Sequence, residues 1–85
     1  MAAASILASG TTSASASDTT LTSDTLVGLK SDSVAGALVY IEVKDDLAGY
    51  VPLGRLTRED PARILAPGTY RFRRPAGVNA GVFSA

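Results

Sequence analysis

The chain has no cysteine, no histidine and no tryptophan, and only three tyrosines and two phenylalanines among its 85 residues. Without cysteine there is no disulfide, no thiol nucleophile and no thiolate metal site; without histidine there is no imidazole base or ligand. Ser-His-Asp and Cys-His engines are therefore excluded within one chain. Net charge is zero, so the basic excess of a nucleic-acid binder is missing. No stretch approaches the ~20 apolar residues of a membrane span. The N-terminal pair Ile6-Leu7 is too short for the hydrophobic region of a signal peptide, and no Lys or Arg precedes it. Carboxylates, Lys, Arg, Tyr and hydroxyls are what remains for chemistry. Asp45 and Asp46 are adjacent in a predicted loop without EF-hand spacing and read as solvated turn residues. The glycines follow no phosphate-cradling order. The expectation is a protein that is not an enzyme and carries no metal or cofactor.

Eighty-five residues make one small domain. A chain of this size buries a modest fraction of its surface, and here no disulfide or metal adds to that. Such chains commonly draw the rest of their stability from a subunit interface, so a homo-oligomer or docking on a larger body is expected.

Composition divides the chain. Twelve of the first 25 residues are Ser or Thr, and six of the first sixteen are Ala. Residues 1–20 read as an extended arm and 21–85 as a compact β domain. Small side chains suit an arm lying in a groove or on a neighbour's sheet edge, with Ile6 and Leu7 as its apolar anchors. A solvated tail is the plain alternative.

The body shows no three- and four-residue periodicity, and β-branched residues, Gly and Pro recur about every ten positions. Leu21–Lys30 reads as one edge-like strand with Leu21, Ser23, Thr25, Val27 and Leu29 on one face. The clearest strand is Ala37–Lys44, with Val39, Ile41 and Val43 inward and Tyr40, Glu42 and Lys44 outward. A loop at residues 45–49 leads to a return strand in which Pro52 marks an edge or a bulge. Residues 57–63 read as a loop. Thr69–Arg74 alternates again, with Tyr70 and Phe72 inward and the arginines outward, and Ala80–Ser84 is the last strand. Five or six short strands predict an all-β fold, a small antiparallel sandwich or barrel, with immunoglobulin- and fibronectin-like sandwiches among the candidates.

Two features stand out. Leu65-Ala66-Pro67-Gly68-Thr69-Tyr70 resembles the corner before the sixth strand of immunoglobulin-like and fibronectin type III sandwiches. There a tyrosine hydroxyl bonds back to the backbone where the chain passes between sheets. Pro67, Gly68 and Tyr70 would form that corner; a plain type II turn on Pro67-Gly68 is the alternative. The second feature is charge. Residues 1–54 hold two bases and six acids, a net of −4, whereas residues 55–85 hold six bases and two acids, a net of +4. Arg55, Arg58, Arg71, Arg73 and Arg74 are candidate partner-binding residues, because guanidinium groups pair carboxylates bidentately. A solvated arginine face is the alternative.

The whole chain resembles the small accessory structural proteins of tailed bacteriophage virions, the capsid-decoration or cement proteins. The features that carry the likeness are the Ser/Thr/Ala-rich leader, the small all-β body, the run Leu65–Arg74 and the closing Ala80-Gly81-Val82-Phe83. The resemblance implies a virion location and a role in stabilising a capsid or tail shell. Its partners would be a major capsid or tail protein and further copies of itself; composition and charge, independently of the resemblance, give no reason to expect a membrane or nucleic acid as partner. The rival reading is a carbohydrate or host-receptor binding module of a fibre or secreted protein, for which Tyr40 and Tyr50 would supply the aromatic platform.

Overall fold

The computed structural model describes residues 4–15 and 18–85, and every regular element among them is a β-strand. In chain order these are β1 (Ala4–Gly10), β2 (Ala14–Ser15), β3 (Thr19–Leu21), β4 (Thr25–Leu29), β5 (Leu38–Lys44), β6 (Tyr50–Thr57), β7 (Ala62–Leu65), β8 (Gly68–Arg74) and β9 (Ala80–Ser84). They form two antiparallel sheets. Sheet A has the order β1-β9-β4-β7; sheet B has the order β2-β8-β5-β6, with β3 also paired to β8. This is the two-sheet, all-β architecture that the alternation of β5 and β8 predicts.

The core lies between the sheets. Val27 and Leu29 of β4, Val82 of β9 and Leu65 of β7 meet Val39 and Ile41 of β5, Leu56 of β6 and Phe72 of β8. Phe72 is the largest fully buried side chain. Burial of an aliphatic or aromatic side chain of this size stabilises by roughly 1.5–3 kcal/mol. The inward and outward positions of β5 and β8 therefore follow the period of two with the largest residues inside.

The expected arm is, in its described part, a portion of the domain. Residues 4–10 form β1, an outer strand of sheet A, with Leu7 opposite Val82 and only 7% exposed. Ile6 packs against the core beside it. A Ser/Ala/Thr segment orders here because one large apolar residue enters the core and the backbone pairs with β9. Ile6 and Leu7 are thus internal anchors. Residues 1–3 and 16–17 of the expected arm lie outside the described residues.

Two further corrections concern strands, and one expectation holds. Leu21–Lys30 is not one strand: β3 belongs to sheet B and β4 to sheet A, with a break at residues 22–24 where Thr25 Oγ1 donates to Ser23 O (2.9 Å). Residues 62–65, partly read as loop, form β7. Pro52 sits both on an edge strand and next to a bulge, since the register of β5 and β6 shifts between Ile41 and Glu42.

The corner motif joins β7 of sheet A to β8 of sheet B. The Tyr70 hydroxyl donates to Ala66 O at 2.7 Å and so ties the crossing segment to the strand that follows. Gly68 lacks the positive φ that a type II turn requires; the glycines with positive φ are Gly36 and Gly77. The tyrosine tie, rather than a glycine turn, defines the passage between sheets.

Candidate functional site

The alternation of β5, β6 and β8 places one set of side chains on the outer face of sheet B. Tyr40, Glu42 and Lys44 of β5 stand opposite Arg55, Pro52 and Tyr50 of β6 on one side. On the other side, Tyr40 and Glu42 stand opposite Arg73 and Arg71 of β8. Cross-strand neighbours on one face are about 5 Å apart at Cβ, close enough for long side chains to meet.

Glu42 is the hub. Its side chain is mostly covered, and its Oε1 accepts from Arg71 Nε (2.7 Å) and lies 2.6 Å from Arg71 Nη2. Its Oε2 is 3.5 Å from Arg73 Nη2. Each guanidinium also covers a tyrosine ring: Arg71 lies 3.7 Å from the centroid of Tyr50 and Arg73 lies 5.1 Å from that of Tyr40. The order across the face is Tyr50, Arg71, Glu42, Arg73, Tyr40. Ion pairing and cation–π contact hold both guanidinium planes, which lowers the entropy lost when a partner binds them. At the rim, Tyr50 Oη donates to Asp18 Oδ1 (2.6 Å) and Lys44 Nζ donates to Asp18 Oδ2 (3.0 Å). These bonds, with Tyr50 first, hold the Asp18 carboxyl below its ordinary value and raise the Tyr50 phenol and the Lys44 amine above theirs. Among the described residues of this face, Arg55, Arg71, Arg73 and Lys44 stand with the carboxylates of Glu42 and Asp18, two positive charges in excess.

The six arginines of the C-terminal half separate into different roles. Arg71 and Arg73 stand on the face, and Arg55 is exposed beside them opposite Tyr40. Arg58 is not with them: its Nη1 donates to Ser33 O (2.5 Å) and braces the loop between β4 and β5. Arg74 was expected outward and is buried, 5% exposed. Its Nε donates to Thr12 O (2.7 Å), and its Nη1 donates to Ala8 O (2.7 Å) and Ala80 O (3.0 Å). It is an internal staple between β1, β9 and the segment after β1. The parity of β8 carries the signal for this, because position 74 shares the inward side of Tyr70 and Phe72. Gly10 leaves the space, since a Cβ there would stand 3.0 Å from Arg74 Nη2.

Asp45 and Asp46 do not form a site. Asp45 Oδ1 accepts from the Leu47 and Gly49 amides, both at 2.9 Å, and shapes the hairpin loop. An open groove of about 680 Å³ lies over Ser9, Lys30, Ser31, Asp32 and Phe83 on sheet A. Its charged groups are engaged with the chain itself, Asp32 by Ser9 (2.7 Å) and Lys30 with Ser5 (2.8 Å). Comparison with family models, curated proteins and solved structures finds no match.

Proposed function

We propose that this chain is a non-enzymatic structural protein of a virion that docks repetitively on a capsid or tail shell and stabilises it. The outer face of sheet B is the docking surface. The observation that carries this is the fixed Tyr50–Arg71–Glu42–Arg73–Tyr40 array with its excess of positive charge. A flat, pre-organised face rich in Tyr and Arg suits an acidic protein surface, because these residues supply contact area and bidentate pairing at small entropic cost. Binding to the assembled shell and not to its free subunits stabilises the shell by mass action.

The same array weighs against the carbohydrate reading. A sugar stacks on a bare aromatic face, whereas each tyrosine ring here already has a guanidinium over it. Tyr40 and Tyr50 act in this proposal as platforms for arginine.

Purified particles of the phage that encodes the chain test the reading. They should contain it in many copies, and particles stripped of it should rebind the wild-type chain with an affinity that falls as salt rises. Arg55→Glu/Arg73→Glu turns the excess of two positive charges into an excess of two negative ones and should abolish rebinding. Absence from particles, or rebinding indifferent to both salt and the double substitution, overturns the proposal.

A further inference from the structure

The four edges of the two sheets are not equally protected. Proteins usually blunt such edges with bulges, proline or very short strands. On the β1 edge the register shifts twice, between Ser5 and Leu7 and between Leu7 and Gly10. On the β6 edge Pro52 and a bulge interrupt the pairing line. The opposite edge of sheet B has only the two residues of β2 and the three of β3. Strand β7, four residues long, has neither a bulge nor a proline within it: its register with β4 is regular from Ala62 to Leu65, and Pro61 and Pro67 lie outside it.

The direction of its peptide groups follows from the ladder. Leu29 N donates to Pro61 O at 2.8 Å, so Pro61 accepts from β4 and residues 63 and 65 exchange bonds with it. The other side of β4 agrees with this, since its even-numbered residues bond with β9, as in Lys30 N to Gly81 O and Ala85 N to Leu26 O. Ala62 and Ile64 therefore turn both N–H and C=O away from the sheet. Among the described residues β7 pairs with no strand besides β4. Ile64 is also 69% exposed and stands opposite Leu26, another exposed aliphatic residue. Arg63 does not guard the edge: its guanidinium folds inward over Gly54 of β6, where any Cβ would collide with it.

We infer that β7 is the self-association edge, pairing antiparallel with β7 of a second copy about a two-fold axis at Ile64. That register sets Ile64 against Ile64 of the second copy and Ala62 against Ala66. The outward amide and carbonyl of Ile64 then bond reciprocally with those of Ile64 of the second copy, while the Ala66 carbonyl keeps its bond from the Tyr70 hydroxyl (2.7 Å), and sheet A continues through eight strands. The outer face gains an unbroken aliphatic stripe, Leu26–Ile64 followed by Ile64–Leu26 of the second copy, with no like charges opposed along it. The partner is a second copy because the exposed apolar pair Leu26–Ile64 meets its own image across the axis, the self-match that an isologous interface requires.

Sedimentation of the purified full chain over a wide concentration range tests this without any shell protein. The mass should rise from one chain to two, and the Ile64 amide should gain protection from hydrogen exchange as dimer forms. Ile64→Pro removes an N–H that points out of the sheet, so the β4 ladder survives and the dimer is lost. Ile64→Lys places a charge at the axis and should also give a monomer with an unchanged strand spectrum. Arg55→Glu/Arg73→Glu should leave the dimer intact, which separates this edge from the docking face. A wild-type chain that stays monomeric throughout, or an Ile64→Lys variant that still dimerises, overturns the inference.

Discussion

Replacing Arg74 with methionine keeps the apolar stem of the side chain out to about the Nε position and removes its charge and all its donors. Three carbonyls then lose a partner: Ala8 O, Thr12 O and Ala80 O. The Arg74–Ala80 bond is buried, and an orphaned acceptor there costs about 1–3 kcal/mol. The other two bonds are only partly buried, so water can replace the guanidinium and each loss costs about 0.5 kcal/mol. Release of a desolvated cation offsets part of this, which leaves a destabilisation of about 2 kcal/mol. For a domain of this size that is a fall in Tm of roughly 10 °C. Urea unfolding monitored by circular dichroism gives the free energy, and hydrogen exchange locates the loss. Amides of β1 should exchange much faster than in the wild type even under native conditions, because the staple joins β1 to β9. Stability within about 0.5 kcal/mol of wild type, a shift typical of surface substitutions, together with unchanged β1 protection, would show that the guanidinium holds nothing.

Tyr70→Phe removes only the hydroxyl that reaches Ala66 O and should cost about 1 kcal/mol, read as a lower urea midpoint at constant slope; an unchanged midpoint refutes the corner tie. The Asp18 cluster gives a pH signature with two limbs. The carboxyl of Asp18 is lowered in the folded state, so its contribution is present above the unfolded value of 3.8 and fades as pH falls through the folded one. Tyr50 and Lys44 are raised, so their contributions are present below about 10 and fade as pH rises through the folded values. Asp18→Asn should flatten both limbs, whereas a stability–pH curve parallel to wild type at both ends would mean that these contacts do not persist in solution.

The legible strands were those whose pattern is local. In β5 and β8, large β-branched and aromatic residues alternate with polar ones, and a window of seven residues holds the signal. The corner was legible for a similar reason, because Ala66 and Tyr70 are only four positions apart. Strand β7 escaped because Ile64 points to solvent and Arg63 inward, which reverses the usual alternation. Strand β1 escaped because its stability comes from residues far along the chain, Val82 opposite Leu7 and Arg74 bonded to Ala8. No local window joins positions 66 residues apart. The run Arg71-Phe72-Arg73-Arg74 was read by its charge, although its parity already separated Arg74 from the other two.

The opposite signs of the two halves suggest chains arranged head to tail, but part of that complementarity is satisfied within one chain. Strand β5 from the acidic half lies directly beside β8 from the basic half, and Glu42 neutralises charge on Arg71 and Arg73. Charge alone therefore does not order successive subunits; under the proposed β7 pairing the free strand edge would do so. An antiparallel pair of β7 strands has its two-fold axis perpendicular to sheet A, which leaves both copies of sheet B on the same side. The dimer then presents two Tyr–Arg faces in one direction. Each face alone needs only modest affinity, because once one is seated the other binds as an intramolecular event, and avidity of this kind reaches about 10²–10⁴. The monomeric Ile64→Lys variant, whose docking face is intact, should accordingly rebind shells far more weakly than the wild type. Equal rebinding by monomer and dimer would separate the edge from the docking function altogether.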